Sequence, residues 1–142
     1  MSTVAEPAPK IGVGPALKTF LALDFGLKRT GVAVGNRILR NAQPQGSIHA
    51  EGDARFVKIA ALLAEWQPDA LVIGVPFHPD GAEHENTVRA RRFGRQLAGR
   101  FRLPVFEVDE RYSTTEALSS GAKDADAAAA CIILEQFLRS ID

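Results

Sequence analysis

The sequence predicts an α/β fold, a mixed five-stranded sheet with its first three strands antiparallel, flanked by helices. Three observations carry that expectation. Thr19–Phe25 and Gly31–Val34 are apolar runs separated by the short turn Gly26-Leu27-Lys28-Arg29-Thr30, the pattern of an antiparallel hairpin. Ala70–Val75 (ALVIGV) is continuously apolar, as in a strand covered on both faces of a parallel sheet. Elsewhere apolar residues recur at helical spacing, which gives the order βββαβαβα, strands feeding helices.

Each element has its own signal. Residues 1–18 are rich in Pro, Gly and small residues without periodicity and read as a flexible tail, leaving 19–142 as one domain. The stretch from Gly12 to Lys18-Thr19 echoes a phosphate-binding loop, but Leu17 stands where the second glycine belongs and a strand follows. Arg37–Ile48 supplies a third, weaker strand before a turn at Gly52. Asp53–Trp66 carries Phe56, Ile59, Ala60, Leu63 and Trp66 at helical spacing, with Asp53 as the expected N-cap. After the strand Ala70–Val75, Pro76–Glu85 is a polar loop turning at Pro79-Asp80-Gly81. Asn86–Phe101 is a helix and Pro104–Val108 a strand. A short helix starts near Ser113, with Ser113 and Glu116 at capping-box spacing, and Gly121 breaks it. Asp124–Ile141 is the last helix.

At 142 residues, 46% hydrophobic and 24% charged, the chain falls in the range of ordinary globular domains, which argues against disorder, collagen and coiled coil. A single cysteine, Cys131, excludes an intrachain disulfide and suits a reducing compartment. No apolar run approaches the roughly 18 residues of a membrane span, and Gly, Pro and Lys18 interrupt the N-terminal segment too early for a signal peptide. The expected location is the cytoplasm. Seventeen basic residues balance seventeen acidic ones, which at first sight argues against a polyanionic partner.

The distribution of those charges reverses the inference. Asp24 interrupts an apolar strand between Leu23 and Phe25, where a carboxylate is costly unless paired or bound to a cation. Glu110 follows the strand ending at Val108, at the carboxyl edge where α/β folds place their sites. At about 100° per residue, Asp126 shares a helix face with Ala130, Ile133 and Phe137 and points toward the sheet, whereas Asp124 lies off that face as an N-cap or exposed residue. Three carboxylates on one side of a sheet repel unless a cation sits between them. Hard oxygen ligands without Cys or clustered His favour Mg²⁺ or Mn²⁺ over zinc. Such a site suits phosphodiester hydrolysis.

The helix Asn86–Phe101 buries Ala90, Phe93, Leu97 and Phe101. It turns Arg91, Arg92, Arg95 and Arg102 outward, with Arg89 and Arg100 flanking, and no acid interrupts residues 86–102. Six arginines expected to lack partners along the helix make a positive surface suited to phosphates. Lys28 and Arg29 add charge directly after Asp24, and Arg111 adds it beside Glu110. His49, His78 and His84 show no ligand spacing and read as surface.

Four blocks in order resemble the YqgF family, also called RuvX-like. They are Leu23-Asp24-Phe25-Gly26-Leu27-Lys28-Arg29-Thr30-Gly31-Val32-Ala33-Val34, then Val72-Ile73-Gly74-Val75-Pro76 with Asp80-Gly81 and the arginine-rich helix. Val108-Asp109-Glu110-Arg111 with Ser113–Ala117 is the third, and Asp126 through Leu134 the last. The resemblance runs from about Phe20 to the C-terminus. It implies a ribonuclease H-like fold and a metal-dependent nuclease, a family assigned to maturation of the 16S ribosomal RNA precursor and earlier to Holliday-junction resolution. Its acidic residues map onto Asp24, Glu110 and Asp126. The segment Ser119–Lys123 is shorter than the basic segment family members usually carry there, which would weaken the substrate grip.

The expected function is therefore Mg²⁺- or Mn²⁺-dependent hydrolysis of structured RNA, the ribosomal precursor, or of branched DNA, by a monomer or weak homodimer with no membrane partner. Asp24, Glu110 and Asp126 would hold metal; Lys28, Arg29, Arg91, Arg92, Arg95 and Arg111 would hold phosphates. A nucleic-acid-binding or ribosome-assembly module that keeps the fold without the chemistry is the alternative from another class. An ATP-binding relative with the same Asp-x-Gly turn would need a second domain that 142 residues do not supply.

Overall fold

The structure, a computed structural model, describes residues 13–110 and 124–141. Eight elements follow in the expected order: β1 (Thr19–Phe25), β2 (Thr30–Asn36), β3 (Ala42–Ile48), α1 (Gly52–Trp66), β4 (Ala70–Val75), α2 (Glu85–Phe101), β5 (Val105–Asp109) and α3 (Ala125–Ser140). The short helix expected near Ser113, and Arg111, lie outside the described residues.

The five strands form one sheet in the order β3-β2-β1-β4-β5. β1 pairs antiparallel with β2, and β2 with β3; β1 and β4, and β4 and β5, are parallel. Every residue of β4 is buried, as its unbroken apolar sequence requires. The edge strand β3 carries Pro44 and a positive-φ Gly46, residues compatible with an edge.

Alternation along the strands sorts the core into two layers. Leu21, Leu23, Val32, Leu71 and Ile73 pack with Phe56 and Ile59 of α1 and Phe93 and Leu97 of α2. Phe20, Ala22, Ala33 and Val72 pack with Ala130, Ile133, Leu134 and Phe137 of α3. Helices α1 and α2 therefore cover one face and α3 the other. The far end of α3 is fixed by Phe137, whose ring lies 5.0 Å from Phe20 and 5.3 Å from Phe106.

Three local readings change. Residues 13–18 are not part of a free tail: Val13 is buried, and Arg37 donates to the carbonyls of Val13, Gly14 and Leu17. Asp69 ties the start of β1 to the start of β4 by accepting from the backbone N–H groups of Lys18 and Thr19 at 2.8 and 2.9 Å, bonds that hold its carboxyl below the usual range. The N-cap of α1 is Glu51, without a side-chain bond, and Asp53 sits in the first turn. His84, read as loop surface, caps α2: its Nδ1 accepts from Asn86 N–H at 3.0 Å, while Thr87 Oγ1 accepts from the His84 N–H. No described helix is long and apolar enough to cross a membrane.

Candidate active site

Asp24 has the parity of Phe20 and Ala22, so its carboxyl lies on the α3 face of the sheet. Glu110 comes one residue after β5, next to the carboxyl end of β4. It reaches the same face over Gly74: a Cβ at Gly74 would fall 2.6 Å from the Glu110 carboxyl carbon and 2.5 Å from Ile133 of α3. The Asp24 and Glu110 side chains hydrogen-bond to each other. Two carboxyls can do so only if they share a proton, because an ionised pair has no hydrogen to donate.

Burial sets the protonation of the pair. Desolvation raises Asp24 to about 6, opposed by its bond to Glu110 and reinforced by the charge of Asp126. Desolvation raises Glu110 further, to about 8, with the charge of Asp24, the shared hydrogen bond and Asp109 adding to it. The proton between them belongs to the pair, with Glu110 its principal holder.

Asp126 sits in the first turn of α3, and the sheet beneath it is cut away to admit it. Gly31, opposite Asp24 in the β1–β2 ladder, lacks a Cβ that would lie 1.8 Å from the Asp126 carbonyl oxygen. The carboxylate of Asp126 turns to Arg29, with Oδ2 3.0 Å from the guanidinium Nε, and Ser47 Oγ lies 3.3 Å from the same oxygen. Ser47 also donates to Asp124 at 2.6 Å, and Asp124 in turn caps α3 by accepting from Ala127 N–H. Those two bonds lower the Asp124 carboxyl, confirming its place as N-cap.

The structure thus brings the three sequence-selected acids to one side of one sheet edge but in two states: Asp24 and Glu110 touch, and Asp126 is engaged by a cation of the chain itself. Among the described residues, no three His, Cys, Asp or Glu side chains converge as a metal-binding group. The donor chemistry still fits a hard divalent ion at the pair. Two half-buried carboxyls whose pKa values are both raised present hard oxygens that a cation could hold in place of a proton. Asp126 would have to leave Arg29 to join them.

The basic residues divide. Arg29 lies at the site. Lys28 is exposed on the same turn, which Gly26 makes tight: a Cβ there would meet the Arg29 carbonyl at 2.6 Å. The five arginines of α2 stand on the other face of the sheet from the carboxylates, and three of them are paired, contrary to the expected free surface. Arg91 meets Glu83 at 2.6 Å and Glu107 at 3.4 Å, Arg89 meets Glu85 at 2.6 Å, and Arg100 meets Asp53 at 3.1 Å. Arg92 and Arg95 are exposed and carry no ion pair among the described residues.

Sequence reasoning missed Arg55. It is buried in α1, donates from Nη2 to the Leu27 carbonyl at 2.6 Å and from Nε to the Ala50 carbonyl at 3.1 Å, and stacks 4.6 Å from the Phe25 ring. It holds the turn that carries Lys28 and Arg29. An arginine in the first turn of an amphipathic helix gives no sequence signal of that duty. Gly31 and Gly74 were legible in principle, since a glycine inside a strand marks close approach.

Comparison with known proteins gives concordant findings. The model of the RuvX family, described as Holliday junction resolvase, matches residues 18–140. A relative from Albidiferax ferrireducens, provisionally named pre-16S rRNA nuclease, is 77% identical over 141 residues, covering 97% of this chain and 90% of its own. One of the same name from Polaromonas sp. is 66% identical and covers 99% of both chains. Among solved structures, Thermus thermophilus RuvC in complex with Holliday junction substrate is similar with a TM-score of 0.51 at 18% identity, over 86% of this chain and 94% of its own. That likeness supports the ribonuclease H-like fold.

Proposed function

The chain belongs to the RuvX family, and on that premise we propose that it is a divalent-cation-dependent nuclease that cleaves phosphodiester bonds in the 16S ribosomal RNA precursor. The observation that carries the chemistry is the meeting of the half-buried Asp24 and Glu110 carboxyls at the carboxyl edge of the sheet, where the Glu110 side chain lies over the bare backbone of Gly74. Mg²⁺ or Mn²⁺ held there would neutralise charge on the scissile phosphate and lower the pKa of an attacking water.

The chain's own residues do the rest. Asp24 and Glu110 give up their shared proton and present oxygen ligands from rigid strand ends. Asp126, on the first turn of α3, exchanges Arg29 for the site, and Arg29 is then free to meet a phosphate oxygen with its planar fork. Lys28 on the same turn, with Arg91, Arg92, Arg95 and Arg111, supplies further charge for the backbone. Arg55 fixes the turn from beneath. The enzyme would work in the cytoplasm as a monomer or weak homodimer. The family description favours branched DNA as a second substrate.

Incubating the chain with a precursor ribosomal RNA fragment tests the reading. Cleavage requires Mg²⁺ or Mn²⁺, stops with chelator and is lost in Asp24→Asn; cleavage that persists in Asp24→Asn rejects it. Binding without cleavage by the unaltered chain would leave the alternative of a non-catalytic RNA-binding module.

A further inference from the structure

The arginines of α2 form two stripes rather than one surface. At about 100° per residue, Arg91 and Arg95 fall within about 40° of each other, on the side where Arg91 meets Glu107 of β5. Arg89, Arg92 and Arg100 fall within about 80°, centred about 120° away, on the side of α1, where Arg100 meets Asp53. Between this second stripe, the start of α1 and the turn after β1 lies a groove of about 330 Å³.

Its lining is strongly one-signed. Arg55, Arg89, Arg92 and Arg100 face it with Gln96, against one acid, Asp53. Arg92 has no ion pair among the described residues, and the carboxylates that hold Arg89 and Arg100 are themselves largely in solvent, 75% and 92% exposed. Ion pairs of that kind are weak and readily exchanged for a stronger polyanion. The floor is closed to bases: Phe56 and Phe93 are buried, and the Arg100 guanidinium covers the Phe56 ring at 4.0 Å. The groove can therefore grip phosphates without stacking a base. From Arg89 to Arg100 the stripe runs about 16 Å at 1.5 Å per residue, long enough to follow several phosphates of one strand.

We propose that this groove is a second phosphodiester-backbone site, on the sheet face opposite Asp24 and Glu110, which holds a separate arm of the same folded or branched polynucleotide. The inference rests on the reading of the substrate given above and adds its shape: two arms, one on each face. Arg55 belongs to both, since it lines the groove while donating to the Leu27 carbonyl of the catalytic turn.

The test uses the full chain with Asp24→Asn, which binds without cutting, and two RNAs: a long folded precursor fragment and a short duplex that fills one face only. Adding Arg89→Ala with Arg100→Ala weakens the long RNA about tenfold and lowers the slope of log affinity against log salt by about two. Gln96→Glu, which places a negative charge in the groove, weakens it likewise, and the short duplex binds within twofold of the parent throughout. Gln96 and Arg100 are exposed and Arg89 is half-exposed, and an unchanged thermal transition checks the fold. Long-RNA affinity and salt slope indifferent to both variants would overturn the proposal, as would equal weakening of the short duplex. A parent that binds no polynucleotide would overturn this proposal and the nuclease reading together, whereas intact binding indifferent to the groove overturns this one alone.

Discussion

Gly31 lies directly across the β1–β2 ladder from Asp24, and its missing side chain is the space that the backbone of Asp126 occupies. The third acid of the site therefore depends on a glycine in a neighbouring strand. Adding one methyl group by Gly31→Ala forces α3 away from the sheet. Overpacking of this kind costs about 1–3 kcal/mol, seen as a melting transition lower by several degrees, and cleavage should fall more than tenfold. A stable, fully active Gly31→Ala chain would contradict the seating described.

Asp24→Asn removes a proposed metal ligand but also removes a desolvated, half-buried carboxyl. Loss of several kcal/mol of transition-state stabilisation corresponds to a fall in cleavage rate of at least about a hundredfold. Thermal stability at pH 8 without divalent ions should be unchanged or higher. Denaturation and single-turnover cleavage, measured side by side, separate the two effects.

The shared proton also fixes how stability responds to pH. Glu110 is raised to about 8 when folded, so between the ordinary glutamate range and pH 8 the folded chain binds more protons than the unfolded one. Stability contributed by this group is fully present below the unfolded pKa and is lost as pH rises through that window. Without divalent ions the melting temperature should drop by a few degrees from pH 5 to pH 8. Mn²⁺ or Glu110→Gln should flatten that slope, as calorimetry across the window would show.

Arg29→Ala releases Asp126 from its ion pair. Because the arginine side chain is 60% exposed, the stability change should stay within about 0.5 kcal/mol. Mn²⁺ affinity should rise a few-fold, since Asp126 no longer has to exchange partners, while KM for RNA rises through loss of a phosphate contact. Titration calorimetry with Mn²⁺ reads the first effect and steady-state cleavage the second.

Asp69→Ala provides a contrast far from the carboxylate pair. It leaves the backbone N–H groups of Lys18 and Thr19 without their acceptor and should cost about 1 kcal/mol, with metal affinity unchanged. Since the carboxyl is lowered in the folded state, its contribution is present above the unfolded pKa and is lost as pH falls through the folded one. Chemical denaturation at pH 7 and at pH 3 should show a difference between the variant and the parent that shrinks in acid.

Much of this was legible in the residues because period and polarity conflict at the points that matter. Asp24 stands out inside TFLALDF because a strand buried on both faces has no other reason to carry a charge, and the 3.6-residue period of α3 puts Asp126 on the apolar side by arithmetic alone. The partners were not legible. Whether an arginine on α2 is free depends on Glu83, Glu107 and Asp53, which come from three other segments, and helical spacing says nothing about them. The same holds for Arg55, whose two carbonyl acceptors, Leu27 and Ala50, meet only once α1 has folded onto the hairpin. His84 escaped notice because capping by an imidazole is uncommon beside Ser, Thr, Asp and Asn.

The aromatic cluster at the far end of α3 acquires a different significance once the site is seen to straddle sheet and helix. Asp24 belongs to β1 and Glu110 directly follows β5, whereas Asp126 moves with α3 as a rigid rod. Phe137, about 16 Å along that rod at 1.5 Å per residue, is wedged between Phe20 and Phe106 and acts as the heel of a lever whose toe is the carboxylate proposed as the third metal ligand. Carving a cavity at the heel should therefore misalign the toe, so that catalytic precision in this chain is partly a property of hydrophobic packing at the opposite end of its sheet.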